Sequence, residues 1–394
     1  MKKNKKIDIG IFKRSKILID KGFNTEFKWY NIKELCTVFS DDENIRSYIY
    51  KLRNAEGSID IKRGELYPEL LRALFSLQKL VSSMFKIEPI QVQPNFGSNG
   101  SIDTILTAVK LQEKQAVSLL PKGKNGKGVL FAVPTYFRNY NSASARLLTI
   151  HKVPLLNNFE FDVKSFISEM KLKRPGIIIL VTPNNPSGLP IHDQDILLVL
   201  DNLPKGTWAM IDRTLVNTRP EISTYKLLHR YANKNIVILH SFSKYQGMSH
   251  LRIGLALYSN PVMAGIVRPL LPLGMSLEGT IKAYNIIKEN RGLFPSLQII
   301  RDIKSNSKIL KKFVEKNPEY YITDFSSNYC LMGLPKHLDS QDICEILSQQ
   351  GLFVMGGHDF PEPNNRFVRL HTGGNPQYID RMCNVLTDTD TVRR

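Results

Sequence analysis

Ser241-Phe242-Ser243-Lys244 follows the apolar run Ile236–His240 directly, so a lysine stands at the end of a predicted strand. Gly247, Arg252 and Gly254 complete the motif shortly afterwards. A lysine flanked by small hydroxyl residues at a strand end can form a Schiff base with an aldehyde. The serines and the arginine can bind a dianionic phosphate, since arginine offers a forked pair of donors. A solvated charge usually explains a lone lysine, but this grouping favours a binding site.

The chain around this motif consists of short apolar runs that alternate with polar or helical stretches. Runs this apolar are typical of strands covered on both faces, so they predict a mainly parallel sheet with flanking helices. Ligands of such sheets gather at the carboxyl ends of the strands. The runs are Val129–Val133, Arg146–Ile150, Ile177–Thr182, Trp208–Ile211, Ile236–His240 and Gly254–Tyr258.

The pattern changes after Gly274, where helical and strand-like segments alternate and indicate a separate α+β unit. We therefore predict an α/β fold with a large domain at residues 58–275 and a small α+β domain at residues 276–394. Residues 1–57 are predicted to form an N-terminal arm and part of the small domain. The helical patterns lie at 58–80, 279–289, 297–317, 340–350 and 378–386, and the strand-like ones at 320–334 and 366–371.

Two further strand ends carry polar side chains with a candidate chemical role. Asp212 ends the run Trp208–Ile211 upstream of Lys244. Such a residue can simply cap a helix, but a carboxylate beside a pyridine nitrogen also favours the protonated ring, which then acts as an electron sink. The turn Pro183–Gly188 ends another run. It is either a plain Asn/Pro/Gly turn or the segment that places the Asn185 amide on a ring oxygen.

Two weaker signals lie earlier in the chain. The small residues of the segment Asn95–Ser101 precede the helical pattern Ile102–Leu111. Backbone N–H groups at such a helix start form a phosphate cradle. Tyr136 follows the run Val129–Val133, and it can lie flat against a conjugated ring or belong to the core.

Together and in this order, these elements resemble the fold-type I enzymes that use pyridoxal phosphate (PLP). They are most similar to the class I/II aminotransferases, including the histidinol-phosphate aminotransferase branch, and the similarity runs from Tyr67 to Arg369. The resemblance implies the PLP-transferase fold, with a seven-stranded sheet in the large domain. It also implies PLP as the cofactor, an amino acid and a 2-keto acid as substrates, and a homodimer with shared active sites.

The resemblance assigns roles to the matching positions. Lys244 would form the Schiff base with PLP and move the proton, and Asp212 would pair with the pyridine nitrogen. Asn185 would contact the ring oxygen and Tyr136 would stack on the ring. The residues that would bind the cofactor phosphate are Ser98, Asn99, Ser241, Ser243, Arg252 and Tyr67.

Further assignments concern the substrate or a second subunit. Arg369 would clamp the α-carboxylate of the substrate, with Asn185 and Asn328 beside it. A bidentate arginine–carboxylate pair fixes the orientation of a substrate, which removes an entropic part of the barrier. Tyr67 would reach the phosphate bound by the neighbouring subunit, which is why the resemblance implies a homodimer.

The sequence departs from the family at two positions. Leu215 stands where members commonly have a tyrosine that donates to the ring oxygen, and leucine cannot donate. A missing donor is expected to raise the pKa of the imine, because the ring oxygen keeps more negative charge. His250 stands where the family usually has glycine, as a plain loop residue or as part of the site. These departures leave open another PLP reaction on an amino acid, by a decarboxylase, lyase, cyclase or oxidase.

The composition limits the remaining alternatives. The chain has 394 residues and a formal net charge of +18, which raises the question of a nucleic-acid-binding protein with a relict fold. No helix-turn-helix, zinc-finger or RNA-binding signature accompanies the charge, so we predict no nucleic-acid partner. The 4 cysteines match no zinc spacing, so we predict no metal site. No apolar run is long enough for a signal peptide or a membrane span, which indicates a cytoplasmic protein.

Overall fold

The computed structural model describes residues 66–113, 126–216, 221–271, 275–293, 295–325, 327–362 and 364–393. The predicted N-terminal arm at residues 1–57 lies outside the described residues, and so does the side chain of Tyr67. Within the described ranges, no helix is both long and apolar enough to cross a membrane.

A seven-stranded sheet forms the centre of the large domain. Its strands are β1 (Val92–Asn95), β2 (Val129–Val133), β3 (Ile150–Pro154), β4 (Ile177–Val181), β5 (Trp208–Asp212), β6 (Asn235–Ser241) and β7 (Gly254–Tyr258). Their order across the sheet is β1-β7-β6-β5-β4-β2-β3. Strand β7 runs antiparallel to β1 and β6, and the remaining pairings are parallel. The mainly parallel sheet predicted from the apolar runs is therefore confirmed.

Helices cover both faces of this sheet because its central strands are apolar on both sides. Alternate side chains of a strand point to opposite faces, so Ile178 and Leu180 of β4 enter one core while Ile177 and Ile179 enter the other. The helices are α1 (Leu66–Phe85), α2 (Gly97–Glu113), α3 (Phe137–Ala145), α4 (Val163–Lys173), α5 (Asp193–Asp201), α6 (Glu221–Arg230), α7 (Pro261–Val267) and α8 (Leu277–Asn290).

A second, smaller unit contains a four-stranded antiparallel sheet. Leu310, Ile343 and Cys330 from its helices and sheet pack in one apolar cluster, so this unit has its own core. Its strands are β8 (Tyr321–Ile322), β9 (Tyr329–Gly333), β10 (Met355–Gly356) and β11 (Phe367–His371), in the order β10-β11-β9-β8. Its helices are α9 (Leu297–Lys316), α10 (Ser340–Gln349) and α11 (Pro376–Arg393).

Two strands differ from the sequence prediction. The strand predicted at Arg146–Ile150 is wrong, because β3 begins only at Ile150. Leu147 has a φ of 53° and is 83% exposed, so these residues turn the chain out of α3 instead of entering the sheet. Strand β1 escapes prediction because it contains Pro94 and polar residues. It lies at the edge of the sheet, where a proline costs no hydrogen bond of a central strand.

Helix α8 follows the predicted domain boundary at residue 276, yet it packs with the large domain. Its residues Leu277, Ala283 and Ile287 belong to the same apolar core as β4. The helix also lies against α1. The domain boundary stays a prediction, and this packing favours a position after α8.

Candidate active site

A cavity of about 270 Å³ lies where the carboxyl ends of the large sheet face the small sheet. Parallel strands end at a common edge, so the residues that follow β2, β4, β5 and β6 meet there although they are far apart in the chain. The cavity is lined by Ser98, Asn99, Tyr136, Phe137, Val181, Pro183, Asn185, Asp212, Thr214, Leu215, Ser241, Ser243, Lys244, Ser249, Arg252, Tyr329, Met355 and Arg369. Of the predicted site residues whose side chains are described, only Asn328 is not among them.

One end of the cavity offers donors for an anion. Helix α2 begins there at Gly97, with Ser98 in its first turn and its free N–H groups at the positive end of the helix dipole. The Nη1 of Arg252 lies 3.3 Å from the Oγ of Ser243 and 3.0 Å from the carbonyl oxygen of Ser249. A Cβ added at Gly97 would lie 3.1 Å from the Nη2 of Arg252, so the guanidinium sits directly against the helix start.

Asp212 presents a buried carboxylate to the same cavity. Only 3% of its surface is exposed, and the backbone N–H of Thr214 donates to its Oδ1 at 2.9 Å. Burial raises the pKa of the Asp212 carboxyl, and the hydrogen bonds from Thr214 oppose this rise only in part. No cation from the described residues contributes to that balance. A ligand that brings a positively charged N–H would supply the missing partner.

Lys244 points its amine toward the small domain. Its Nζ donates to the hydroxyl oxygen of Tyr329 at 2.8 Å. The guanidinium of Arg369 lies 4.2 Å from the centre of the same ring, and its Nη1 donates to the Oδ1 of Asn185 at 3.0 Å. The nucleophilic amine of Lys244 and the amide of Asn185, from the large domain, therefore face the guanidinium of Arg369, from the small domain.

The turn Pro183–Gly188 is pressed against the small domain, and a glycine makes this possible. Gly188 has a φ of 75°, and a Cβ added there would lie 2.1 Å from the carbonyl oxygen of Tyr329. This close approach brings Asn185, which is 7% exposed, within reach of Arg369. The turn therefore packs against β9 and does not lie on the surface.

Tyr136 lies near the start of α2. Its hydroxyl donates to the Oδ1 of Asn99 at 3.0 Å, which fixes the ring at the edge of the cavity. Burial is the largest of several causes that together raise the pKa of Tyr136, so the hydroxyl keeps its proton at neutral pH. The predicted stacking of this ring on the cofactor stays a prediction.

Two residues that the sequence analysis singled out do not line the cavity. Asn328 is buried behind Tyr329, and its Nδ2 lies 3.2 Å from the Nε2 of His371. His250 is exposed, although its neighbour Ser249 lines the cavity. Leu215 does line the cavity and is 4% exposed.

Tyr329 also lines the cavity, although no motif of the sequence predicts it as a site residue. The signal for it is a phenol directly after Ser327-Asn328, in a chain that lacks the phenol at position 215. Thr214, Ser249 and Met355 also line the cavity without any motif to mark them.

A comparison with protein families agrees with this geometry. The family model described as aminotransferase class I and II matches residues 61–386. The chain belongs to this family. The prediction of a PLP-dependent aminotransferase is therefore confirmed at the level of the family, and PLP is the cofactor of such enzymes.

Individual relatives of this aminotransferase are distant. The histidinol-phosphate aminotransferase of Bacillus cytotoxicus is 25% identical over 298 residues, which is 75% of this chain and 74% of that protein. The crystal structure of the enzyme of that name from Clostridium acetobutylicum has a TM-score of 0.70 at 17% identity, and it covers 88% of this chain and 96% of its own. The one from Sinorhizobium meliloti, in complex with pyridoxal-5'-phosphate, has a TM-score of 0.64 at 18% identity and covers 88% and 87%. These structures confirm the predicted fold.

The residues of the cavity fit the chemical groups of PLP. The donors at the start of α2 and Arg252 suit a phosphate. The buried carboxylate of Asp212, which no cation among the described residues pairs with, suits a protonated pyridine nitrogen. Lys244 supplies a primary amine in the same cavity for the aldehyde. The donor set therefore matches the cofactor at three separate points.

Gly97→Ala is expected to weaken PLP binding about tenfold, because the added Cβ crowds Arg252 and the left-handed φ of 64° strains alanine. The measurement is a titration of the apoprotein with PLP, followed by absorbance. Gly265→Ala is the matched control, since a Cβ there meets nothing within 4 Å. Equal PLP affinity in both variants would show that the start of α2 does not hold the phosphate.

Proposed function

We propose that this aminotransferase takes an amino donor whose anionic group is bound by Arg369, either an α-amino acid or histidinol phosphate. The observation that carries the proposal is the position of the Arg369 guanidinium, which reaches the cavity between Asn185 and Tyr329. Only the Nη1 of Arg369 makes a hydrogen bond to a described side chain, so other N–H groups of the guanidinium are left for a ligand. Histidinol phosphate is included as an amino donor because relatives of this chain are named histidinol-phosphate aminotransferases.

Each residue of the site has a defined task in this proposal. PLP, when bound, supplies a conjugated ring that takes up the electron pair released from the donor carbon. Lys244 holds the cofactor and then moves the proton at that carbon, because its amine stands in the cavity. Asp212 keeps the ring nitrogen protonated, and Asn185 donates to the ring oxygen. Arg369 orients the donor so that its C–H bond faces Lys244.

The decisive experiment is incubation of the purified, PLP-loaded protein with a panel of α-amino acids and with histidinol phosphate. Each donor is tested with and without a 2-keto acid acceptor, and the products are identified by mass. We expect a carbonyl product from one donor and a new amino acid from the acceptor, in equal amounts. A panel in which every donor stays unchanged, although PLP is bound, contradicts the proposal.

A second candidate is a different PLP reaction on an amino acid, and Leu215 is the observation that favours it. Leucine at this buried position offers no hydrogen-bond donor to the ring oxygen. The charge on that oxygen can therefore differ from the charge in an ordinary transaminase. This candidate predicts CO₂, ammonia or a ring-closed product without any acceptor. The same incubations therefore separate the two candidates.

Arg369→Lys is expected to raise the KM for the amino donor about 100-fold, because lysine cannot form the bidentate pair in a buried site. The turnover at saturating donor should fall less, since the catalytic amine is intact. Arg230→Lys is the matched control, because Arg230 pairs with Asp201 on the surface with 53% of its side chain exposed. An unchanged KM in Arg369→Lys would remove this arginine from the donor site.

The assembly and the location of the protein belong to the same proposal. A homodimer follows from the role implied for Tyr67 at the partner's phosphate, and a cytoplasmic location follows from the composition. Sedimentation of the PLP-loaded protein tests the assembly. A fully active monomer would contradict the shared active sites.

A further inference from the structure

The cavity has a phenol, although not at the position where the resemblance leads us to expect one. Leu215 supplies only hydrocarbon to the wall. The hydroxyl of Tyr329 enters the same cavity from the other domain, at the first residue of β9. Its oxygen lies 2.8 Å from the Nζ of Lys244. A hydroxyl therefore stands next to the reactive amine.

Tyr329 is held in place on several sides. The guanidinium of Arg369 lies 4.2 Å from the centre of its ring, which is cation–π geometry. The ring of His371 packs edge-on at 5.4 Å. The Oγ of Ser327 accepts from the Tyr329 N–H at 3.1 Å and donates to its carbonyl oxygen at 3.0 Å. With 5% of its surface exposed, the ring has little freedom, so its hydroxyl is preorganised.

The hydrogen-bonding capacity of the site leaves the Tyr329 hydroxyl free to donate. Lys244 donates to its oxygen, which uses an acceptor position and leaves the phenolic proton for another partner. The Oδ1 of Asn185 accepts from Arg369, so the amide NH₂ of Asn185 is the part that remains for a ligand. Two donors, one from Tyr329 and one from Asn185, thus remain for a ligand in the cavity that Lys244 lines.

We infer that the hydroxyl of Tyr329 takes the role of the phenol that is missing at position 215. It donates to the charged oxygen of the cofactor ring. In this way it sets the pH at which the Lys244 nitrogen loses its proton in the PLP-loaded enzyme. A hydrogen-bond donor to that oxygen withdraws negative charge from it. The protonated Lys244 nitrogen is stabilised by this negative charge, so the donor makes the nitrogen lose its proton more easily. The inference rests on the proposed function, because it requires PLP at Lys244. The other charged or titratable groups that surround this pair are Tyr136, Asp212, Tyr245, Arg252, Arg369 and His371.

The test is a pH titration of the cofactor absorbance without substrate, in wild type, Tyr329→Phe and the double variant Tyr329→Phe/Leu215→Tyr. Phenylalanine keeps the ring and its contact with Arg369 and removes only the hydroxyl. The midpoint should rise by about one unit in Tyr329→Phe, the size expected for one lost hydrogen bond to a charged group. Leu215→Tyr in that background should return the midpoint toward wild type. Tyr231→Phe, which removes a phenol bonded to Asp201 outside the cavity, should leave it unchanged.

The outcomes separate this inference from the proposed function. A midpoint in Tyr329→Phe that equals or lies below that of wild type overturns the inference, while the aminotransferase stands. A raised midpoint that Leu215→Tyr leaves unaltered also overturns it, because the two positions then do not share a function. A wild-type protein that forms no chromophore with PLP overturns the proposed function and this inference together.

Discussion

Lys244→Ala is expected to lose the PLP adduct that borohydride can reduce and to lower turnover by about 10⁴-fold or more, the scale of a lost base that is also the nucleophile. The geometry gives the reason. Lys244 is the primary amine that lines the cavity among the described residues, and it stands at the end of β6 opposite Arg369. Mass spectrometry after borohydride treatment measures the adduct, and steady-state kinetics measure the turnover.

The control for this variant is Lys205→Ala. Lys205 is exposed and does not line the cavity, so the loss of its charge should change neither the adduct nor the turnover. The folded state of Lys244→Ala should lose the hydrogen bond to Tyr329, about 1 kcal/mol, together with the contact of the amine with the Tyr329 ring. A reducible adduct that persists in Lys244→Ala would assign the covalent linkage to another lysine, and the proposed mechanism would then be wrong.

Much of this site could be predicted because its residues follow strands that the sequence marks clearly. The buried strands β4, β5 and β6 appear as uninterrupted apolar runs, and Asn185, Asp212 and Lys244 stand at or just beyond their ends. In a parallel sheet such ends meet at one edge, so chain order alone brings these residues together. Local sequence and a simple topological rule were sufficient here.

The parts that escaped prediction depend on pairing between distant segments. Tyr329 belongs to the cavity because β9 pairs with β11 and lies against Gly188, and neither contact has a local sequence signal. Strand β1 is an edge strand, and its partner β7 follows it by more than a hundred residues. The proline in β1 also makes its sequence unlike that of a typical strand. Long-range pairing of this kind is set by the packed fold rather than by periodicity.

Asp212→Asn is expected to lower turnover about 10²- to 10³-fold, because a neutral amide no longer stabilises the positive charge on the cofactor nitrogen. It should also weaken PLP binding, since the ring would lose its charged partner. The variant is close to isosteric, and its side-chain oxygen can still accept from the Thr214 N–H. A loss of turnover in this variant therefore reports on charge rather than on shape.

The same substitution should make the apoprotein more stable. Burial raises the pKa of the Asp212 carboxyl in the folded state, so the folded protein binds this proton more tightly than the unfolded chain does. The contribution of Asp212 to the free energy of unfolding therefore falls as the pH rises from the unfolded pKa, about 4, through the raised folded value. Above that value the apoprotein bears the whole cost of a buried carboxylate that no cation among the described residues neutralises, and asparagine avoids this cost.

Thermal unfolding with and without PLP tests both halves of this prediction. Without PLP, Asp212→Asn should unfold about 2 °C or more above wild type at neutral pH. The gap should shrink as the pH is lowered toward the unfolded pKa, about 4. With PLP, the gain in Tm on binding should be smaller in the variant, because the cofactor no longer neutralises a buried charge. An apo variant that is less stable than wild type at neutral pH would mean that another group already compensates Asp212. The carboxylate would then have no need of a cationic ligand, and the strongest electrostatic reason for placing the cofactor nitrogen beside it would be gone.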